Sequence, residues 1–180
     1  MHDKTETERA LVRLGEIYAA SGKDLAPAEH AAVRLRSTLT GMGADAGFVA
    51  TLNGDGQTVD VVRVTPTSEN FVRLAFPLSA PYPLAATLRH RQPLFIGSNL
   101  QMDCEHPGLV RMKAEDHACA TLALTVPVDV LVGAVNVTFE EPHEFTPRER
   151  ALIEEAATEC AAILGRRFPN GDARFNSPDS

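Results

Sequence analysis

Apolar residues recur at helical spacing in three stretches of the chain. Ala10, Leu11, Leu14, Ile17 and Tyr18 form one stripe, and Ala28, Ala31, Ala32, Leu35 and Leu39 form a second. Leu152, Ile153, Ala156, Ala157, Cys160, Ile163 and Leu164 form the third. The boundaries agree with these stripes. Thr5 with Glu8, and Thr146 with Glu149, have capping-box spacing, in which a hydroxyl and a carboxylate satisfy each other's backbone N–H groups. Pro27 and Pro147 suit first helical positions. Ser21-Gly22-Lys23 ends the first helix, and Gly41 and Gly43 end the second.

Between the second and third stripes the period changes to two. Ala46 to Leu52 and Val59 to Val64 read as strands joined by the turn Asn53-Gly54-Asp55-Gly56, since Asn and Gly accept positive φ. Val72, Leu74, Phe76 and Leu78 alternate with Arg73, Ala75 and Pro77 as in a half-buried strand. Leu84 to His90 reads as a short helix after Pro83, and Pro93 to Ile96 as a short strand. Residues 97–107 read as a polar loop and 107–115 as a second short helix. Leu122, Leu124 and Val126 alternate with Cys119, Thr121, Ala123 and Thr125. Val135, Val137 and Phe139 alternate with Ala134, Asn136 and Thr138. This order predicts an α+β fold: a central antiparallel sheet of five or six strands, long helices on one face, short helices and loops on the other. Residues 1–167 form one domain in this reading, and 168–180, rich in Pro, Gly, Asn, Asp and Ser, a disordered tail.

Composition narrows the function. The chain has 180 residues, enough for one sizeable core, and a formal net charge of -7. That charge argues against nucleic acid as a partner, because phosphate binding needs a basic face. No apolar leader follows Met1, and no stretch approaches the roughly 20 apolar residues that span a bilayer. The expected location is the cytoplasm, with no membrane partner. Three cysteines, at 104, 119 and 160, lack CxxC spacing, so neither a disulfide framework nor a zinc site is expected. No phosphate loop, GxSxG, HExxH or kinase motif set occurs.

Several spaced segments resemble the GAF domain family. The run Pro83 to Ile96 is similar to a GAF short helix leading into a strand, and 120–126 with 132–139 to its paired strands. Phe139 to Cys160, with Pro142, Phe145-Thr146, Glu149 and an Ala-rich helix, is similar to the family's ending. The likeness covers residues 7–166 and is closest to a variety found in actinobacterial sensor phosphatases and multi-domain regulators. It implies a GAF/PAS-like sheet and a regulatory role in signal transduction, by binding a small effector or by dimerising, and not an enzyme. GAF domains bind cyclic nucleotides, bilins, haem, iron or amino acids, or no ligand, so the cofactor stays unknown. The turn Asp129-Val130-Leu131 departs from the glycine usual there.

Candidate site residues cluster in the middle of the chain. Cys104 stands in the polar loop beside Asp103 and His106, where a thiol–imidazole neighbourhood could lower a thiol pKa or bind a metal; the plain alternative is a loop cysteine. His106 and His117 lie where GAF pockets form, without HxH or HxxxH spacing. Cys119, Thr121 and Asn136 belong to a small, mildly polar strand face, which suits either a ligand floor or a solvated surface. Cys160 belongs to the apolar stripe. The leading expectation is ligand binding at Cys104, His106, His117, Cys119, Thr121 and Asn136, with an unidentified small-molecule effector and a separate output protein. A homodimer through the terminal helices, using Leu11, Leu14, Tyr18, Ile153, Ala157 and Leu164, is also expected. The alternative is a thiol-based redox enzyme or sensor, similar to the free-methionine-sulfoxide reductases of the GAF fold, whose cysteine pattern does not map onto 104, 119 and 160.

Overall fold

A computed structural model of the chain describes residues 26–166. The stripe from Ala10 to Tyr18 and the tail 168–180 lie outside the described residues, as do the dimer contacts assigned to Leu11, Leu14 and Tyr18. Helix α1 spans Ala26–Met42. It ends where Gly43 turns to φ +69, and the Ala44 N–H reaches back five residues to the Leu39 carbonyl at 3.0 Å. Strands β1 (Ala46–Leu52) and β2 (Thr58–Val64) follow, joined through the expected Asn53–Gly56 turn, then β3 (Val72–Pro77). Helix α2 (Pro83–His90) leads into β4 (Leu94–Ile96) and helix α3 (Asn99–Glu105). The long hairpin β5 (Ala118–Val126) and β6 (Val130–Phe139) precedes helix α4 (Pro147–Gly165).

The six strands form one sheet in the order β3-β2-β1-β6-β5-β4, every neighbouring pair antiparallel. This is the α+β architecture expected from the alternation. Its register sorts side chains by face. Val49, Val62, Leu122, Leu124, Val135 and Val137 point to the layer of α1 and α4 and join one buried cluster with Leu35, Leu39, Ile153 and Leu164. Ala46, Phe48, Ala50, Val59, Val61 and Ala134 point the other way, against Leu84, Ala85 and Leu88 of α2.

α4 begins as its sequence requires. The Thr146 hydroxyl accepts from Glu149 N–H at 3.2 Å, and the Glu149 carboxylate accepts from Thr146 N–H at 2.9 Å, which completes the capping box. Small buried residues, among them Ala31, Ala32, Ala156, Ala157 and Ala161, let α1 and α4 approach closely. The Cys160 thiol donates to the Ala31 carbonyl at 3.4 Å, and Arg34 pairs with Glu159 on the outer side. Ile153, Ala157 and Leu164 are buried within the subunit at 0%, 6% and 3% exposure, so they are core and not the free dimer stripe expected of them.

Three local features differ from the sequence expectations. Residues within 97–107 form helix α3 rather than a loop. Ser98 caps it by accepting from Gln101 N–H at 3.1 Å, while Gln101 Oε1 takes the Gly97 N–H at 2.7 Å. The helix expected over 107–115 is irregular chain. Pro107-Gly108 makes a turn instead, with Leu109 N–H donating to the His106 carbonyl at 2.9 Å. The β5–β6 turn is 127–129, not 129–131, and places Val128 and Asp129 at φ 70 and 59. One extra residue on β6, Val132, opens a bulge, because Leu124 faces Gly133 and Thr125 faces Leu131. The bulge turns Val132 toward the long helices and Leu131 toward α2.

Leu124 is 1% exposed within the long-helix cluster. Leu124→Ala should cost about 2–4 kcal/mol through lost transfer energy and a residual cavity. Chemical denaturation reads this as a lowered midpoint with an unchanged m-value. An unshifted midpoint would mean that the strand faces are assigned the wrong way round.

Candidate functional site

On the face opposite the long helices, β1, β6, β5 and β4 lay side chains in rows across the sheet. One row runs Phe48, Asn136, Thr121, Leu94, and the next runs Ala46, Thr138, Cys119, Ile96. The middle positions of both rows are polar and almost fully buried: Thr121 0%, Asn136 2%, Thr138 3% and Cys119 5% exposed. A buried polar group needs a partner, and two of these find each other. Asn136 Nδ2 donates to Thr121 Oγ1 at 2.8 Å. Thr138 Oγ1 donates to the Ala46 carbonyl at 3.4 Å.

The cover over these rows is the irregular segment between α3 and β5. Val110 N–H donates to the Pro81 carbonyl at 2.6 Å and His117 N–H to the Phe139 carbonyl at 2.8 Å, which pins both ends of the segment. Beneath it lies a small cavity of about 10 Å³, room for a single water-sized group. Its polar lining comes from Arg111, Asp116, His117, Asn136 and Thr138, and its apolar lining from Pro83, Met102, Met112, Ala118 and Cys119.

Three atoms of this lining, Asp116 Oδ2, His117 Nδ1 and Asn136 Oδ1, are buried with no hydrogen-bond partner among the described residues. Asn136 reaches this state because its amide nitrogen is spent on Thr121, which leaves the carbonyl oxygen over. His117 Nε2 meets Asn99 Nδ2 at 3.2 Å, which leaves Nδ1 over. Each such atom costs about 1–3 kcal/mol of lost hydration.

Burial pushes the Asp116 carboxyl up to about 6; the nearby Lys113 and Arg63 charges pull the other way, while Glu115 and Glu140 add to the rise. Burial also pushes the Cys119 thiol up to about 12, helped by the Asp116 charge and opposed by the nearby polar groups of Thr121 and Asn136. Cys160 rises to about 12 by burial on the other side of the sheet. Among the described residues no group of three or more His, Cys, Asp or Glu could hold a metal.

The structure brings together His117, Cys119 and Asn136 at the cavity and sets Thr121 behind Asn136. It does not bring Cys104 or His106 there. Cys104 is exposed on α3, and His106 ends that helix. Asp116 and Arg111 are the polar residues that sequence reasoning passes over. Asp116 stands two residues before β5, where a carboxylate at the entry to a buried strand is the available signal.

The profile of the GAF domain family matches residues 27–165. No curated protein matches the chain in sequence. Similar solved structures include the GAF domain of an Acinetobacter phosphoenolpyruvate-protein phosphotransferase, at TM-score 0.60 and 11% identity over 92% of this chain and 96% of that one. The second GAF domain of DevS from Mycobacterium smegmatis matches at TM-score 0.55 and 18% identity over 78% and 94%. A type II free methionine-R-sulfoxide reductase from Thermoplasma acidophilum matches at TM-score 0.57 and 10% identity over 78% and 96%. At these identities the likeness is one of fold. No described helix is long and apolar enough to cross a membrane.

The raised Asp116 value carries a stability consequence. The folded state binds this proton more tightly than the unfolded chain does. The contribution is therefore complete below about pH 4 and is lost as pH rises through about 6. The loss by pH 7 is about 2–3 kcal/mol. Asp116→Asn removes it, so the variant should exceed the parent in stability at pH 7.5, by a margin that shrinks toward pH 4. Denaturation midpoints of both proteins across that range check this. A margin independent of pH would show that the carboxylate is not desolvated.

Proposed function

From the premise that this chain belongs to the GAF domain family, whose members generally act as sensory or regulatory modules, we propose that it binds a small effector in the cavity between β5–β6 and the 106–117 segment. The observation that supports this reading is the set of three unpartnered polar atoms on Asp116, His117 and Asn136 lining one cavity. A pocket with a mostly apolar wall and a few convergent polar groups is the usual form of a ligand site. The cavity of about 10 Å³ takes the ligand's polar end alone. The body of the ligand then lies against the irregular cover and helix α3, whose Met112 and Met102 side chains adjust readily to shape. Displacing that cover is the means by which binding changes the outer surface and reaches a separate output protein, provided the ligand prefers one cover position.

The module acts by binding rather than by catalysis in this reading. A thiolate is the nucleophilic form of cysteine, and Cys119, pushed up to about 12, stays protonated near neutral pH. Cys119 and Cys160 belong to opposite faces of the sheet, which disfavours a redox couple between them. For assembly we keep a homodimer through the helix layer. The contact then uses outward positions of α1 and α4, where Val33, Ala151 and Ala162 are exposed. Sedimentation equilibrium should give twice the chain mass at high concentration, with Val33→Glu shifting it toward one; a single-chain mass throughout removes the dimer.

Native mass spectrometry of the protein purified from its own host tests the ligand. We expect one small molecule per chain, and its loss in Asn136→Leu, which fills the cavity and removes an acceptor. A chain that carries no added mass and gains no thermal stability from its host's metabolite extract would contradict the sensory reading.

A further inference from the structure

Five residues beside the cavity, His117, Asn99, Gly97, His143 and Phe139, form a closed ring of contacts. His117 Nε2 meets Asn99 Nδ2 at 3.2 Å, at the start of α3. Two residues earlier, the Gly97 carbonyl accepts from His143 N–H at 2.9 Å. The His143 ring lies on the Phe139 ring, with centroids 3.8 Å apart and planes 5° from parallel. The Phe139 carbonyl accepts from His117 N–H at 2.8 Å, which closes the ring. Phe145 sets its ring against both Phe139 and His143, at centroid distances of 5.7 and 5.1 Å. Little slack remains, since a Cβ at Gly97 would stand 3.0 Å from the His143 carbonyl oxygen and press the two segments apart. His143 also reaches α4. Its Nε2 stands 2.9 Å from Glu149 Oε1, and an ionised carboxylate only accepts, so Nε2 carries the hydrogen. The other oxygen, Oε2, accepts from Thr146 N–H at 2.9 Å and from Thr146 Oγ1 at 3.1 Å. One carboxylate therefore serves both the ring of contacts and the capping box of α4.

We propose that the cover of the cavity and the first turn of α4 open and close together, with His143 as the link between them. As a route for a signal this rests on the ligand-binding reading above; as a property of the fold it needs no ligand. The first turn of a helix opens locally at low cost, and its cap sets how often it does so. That opening is the two-state element which both ends of the ring bias. Displacing the cover withdraws the His117 N–H from Phe139 and the His117 ring from Asn99. Phe139 and Gly97 then hold His143 less firmly, and its contact with Glu149 loosens. Glu149 loses one of its two anchors, and the capping box weakens. The His143 and Glu149 side chains are only 24% and 19% exposed, so water replaces the lost contact poorly. The linkage is reciprocal, so fraying of the first turn frees the cover in equal measure.

Amide hydrogen exchange of the full chain, read by NMR at fixed pH and temperature, tests the linkage. His117→Ala perturbs the cover, and Asn99→Ala does so more mildly, with the His117 backbone in place. Both should speed exchange at Glu149 and Arg150, whose N–H groups bond Thr146, relative to the core amides of Val49 and Val135. The expected change is about 2- to 30-fold, the range that a coupling energy between linked sites gives. In the other direction, Glu149→Ala should speed exchange at Val110 and His117, the amides that pin the cover. His143→Phe keeps the stack on Phe139 and the backbone bond to Gly97 but removes the donor to Glu149. In that background each perturbation should stay on its own side. Leu124→Ala, which weakens the long-helix face, should move these amides no more than the core amides. Exchange at Glu149 and Arg150 that merely follows the core amides in both cover variants would overturn the linkage and leave the ligand site intact. Full transmission through His143→Phe would overturn His143 as the link. The sensory reading is judged separately, by the host-purified protein.

Discussion

The antiparallel pairing of β1 with β6 governs the rest of the structure. It joins the β3-β2-β1 half of the sheet to the β6-β5-β4 half, and its register decides which way each side chain faces. Phe48 lies opposite Asn136, and Ala46 opposite Thr138. A slip of one residue would send Asn136 and Thr138 into the apolar layer of α1 and α4 and expose Val135 and Val137 on the other side. The pairing is held from both faces. Gly133 makes it possible locally, since a Cβ there would stand 2.3 Å from the Ala50 carbonyl oxygen.

The two faces then take different roles. The long-helix face is closed by apolar side chains and supplies stability through burial. The opposite face is closed by α2 near Ala50, Ala134 and Ala123, and by irregular chain near Asn136 and Thr138. Irregular chain covers a sheet less completely than a helix does, and the polar rows lie under that weaker cover. Unpartnered Asp116, His117 and Asn136 atoms make this region costly when empty and receptive to a polar partner. A stable apolar half makes that cost tolerable.

Much of this was legible in the residues. Alternation placed β3, β5 and β6, the Asn53–Gly56 turn placed β1 and β2, and the Thr146–Glu149 capping box placed the start of α4. The polar face of Thr121, Asn136 and Thr138 was readable because apolar residues alternate with it. Other features depend on contacts that local pattern does not carry. Helix α3 has 7 residues, about two turns, held by Ser98 and Gln101, and is too brief to show a stripe. The bulge at Val132 changes face without changing composition. The residues separate a Cys104 among polar neighbours from a Cys119 on a strand, but only folding shows that Cys104 stands on a helix away from the cavity while Cys119 lines it. Asp116 becomes a site residue because the chain brings it over Asn136, 20 positions away, and that proximity has no period.

The central claim is that the polar atoms above β5 and β6 await a partner from outside the chain. A high-resolution crystal structure of the protein as purified from its own host tests this most directly. The account predicts an ordered non-protein atom about 2.7–3.2 Å from both Asn136 Oδ1 and Asp116 Oδ2. A collapsed cavity, with both oxygens hydrogen-bonded to groups of this chain, would contradict it.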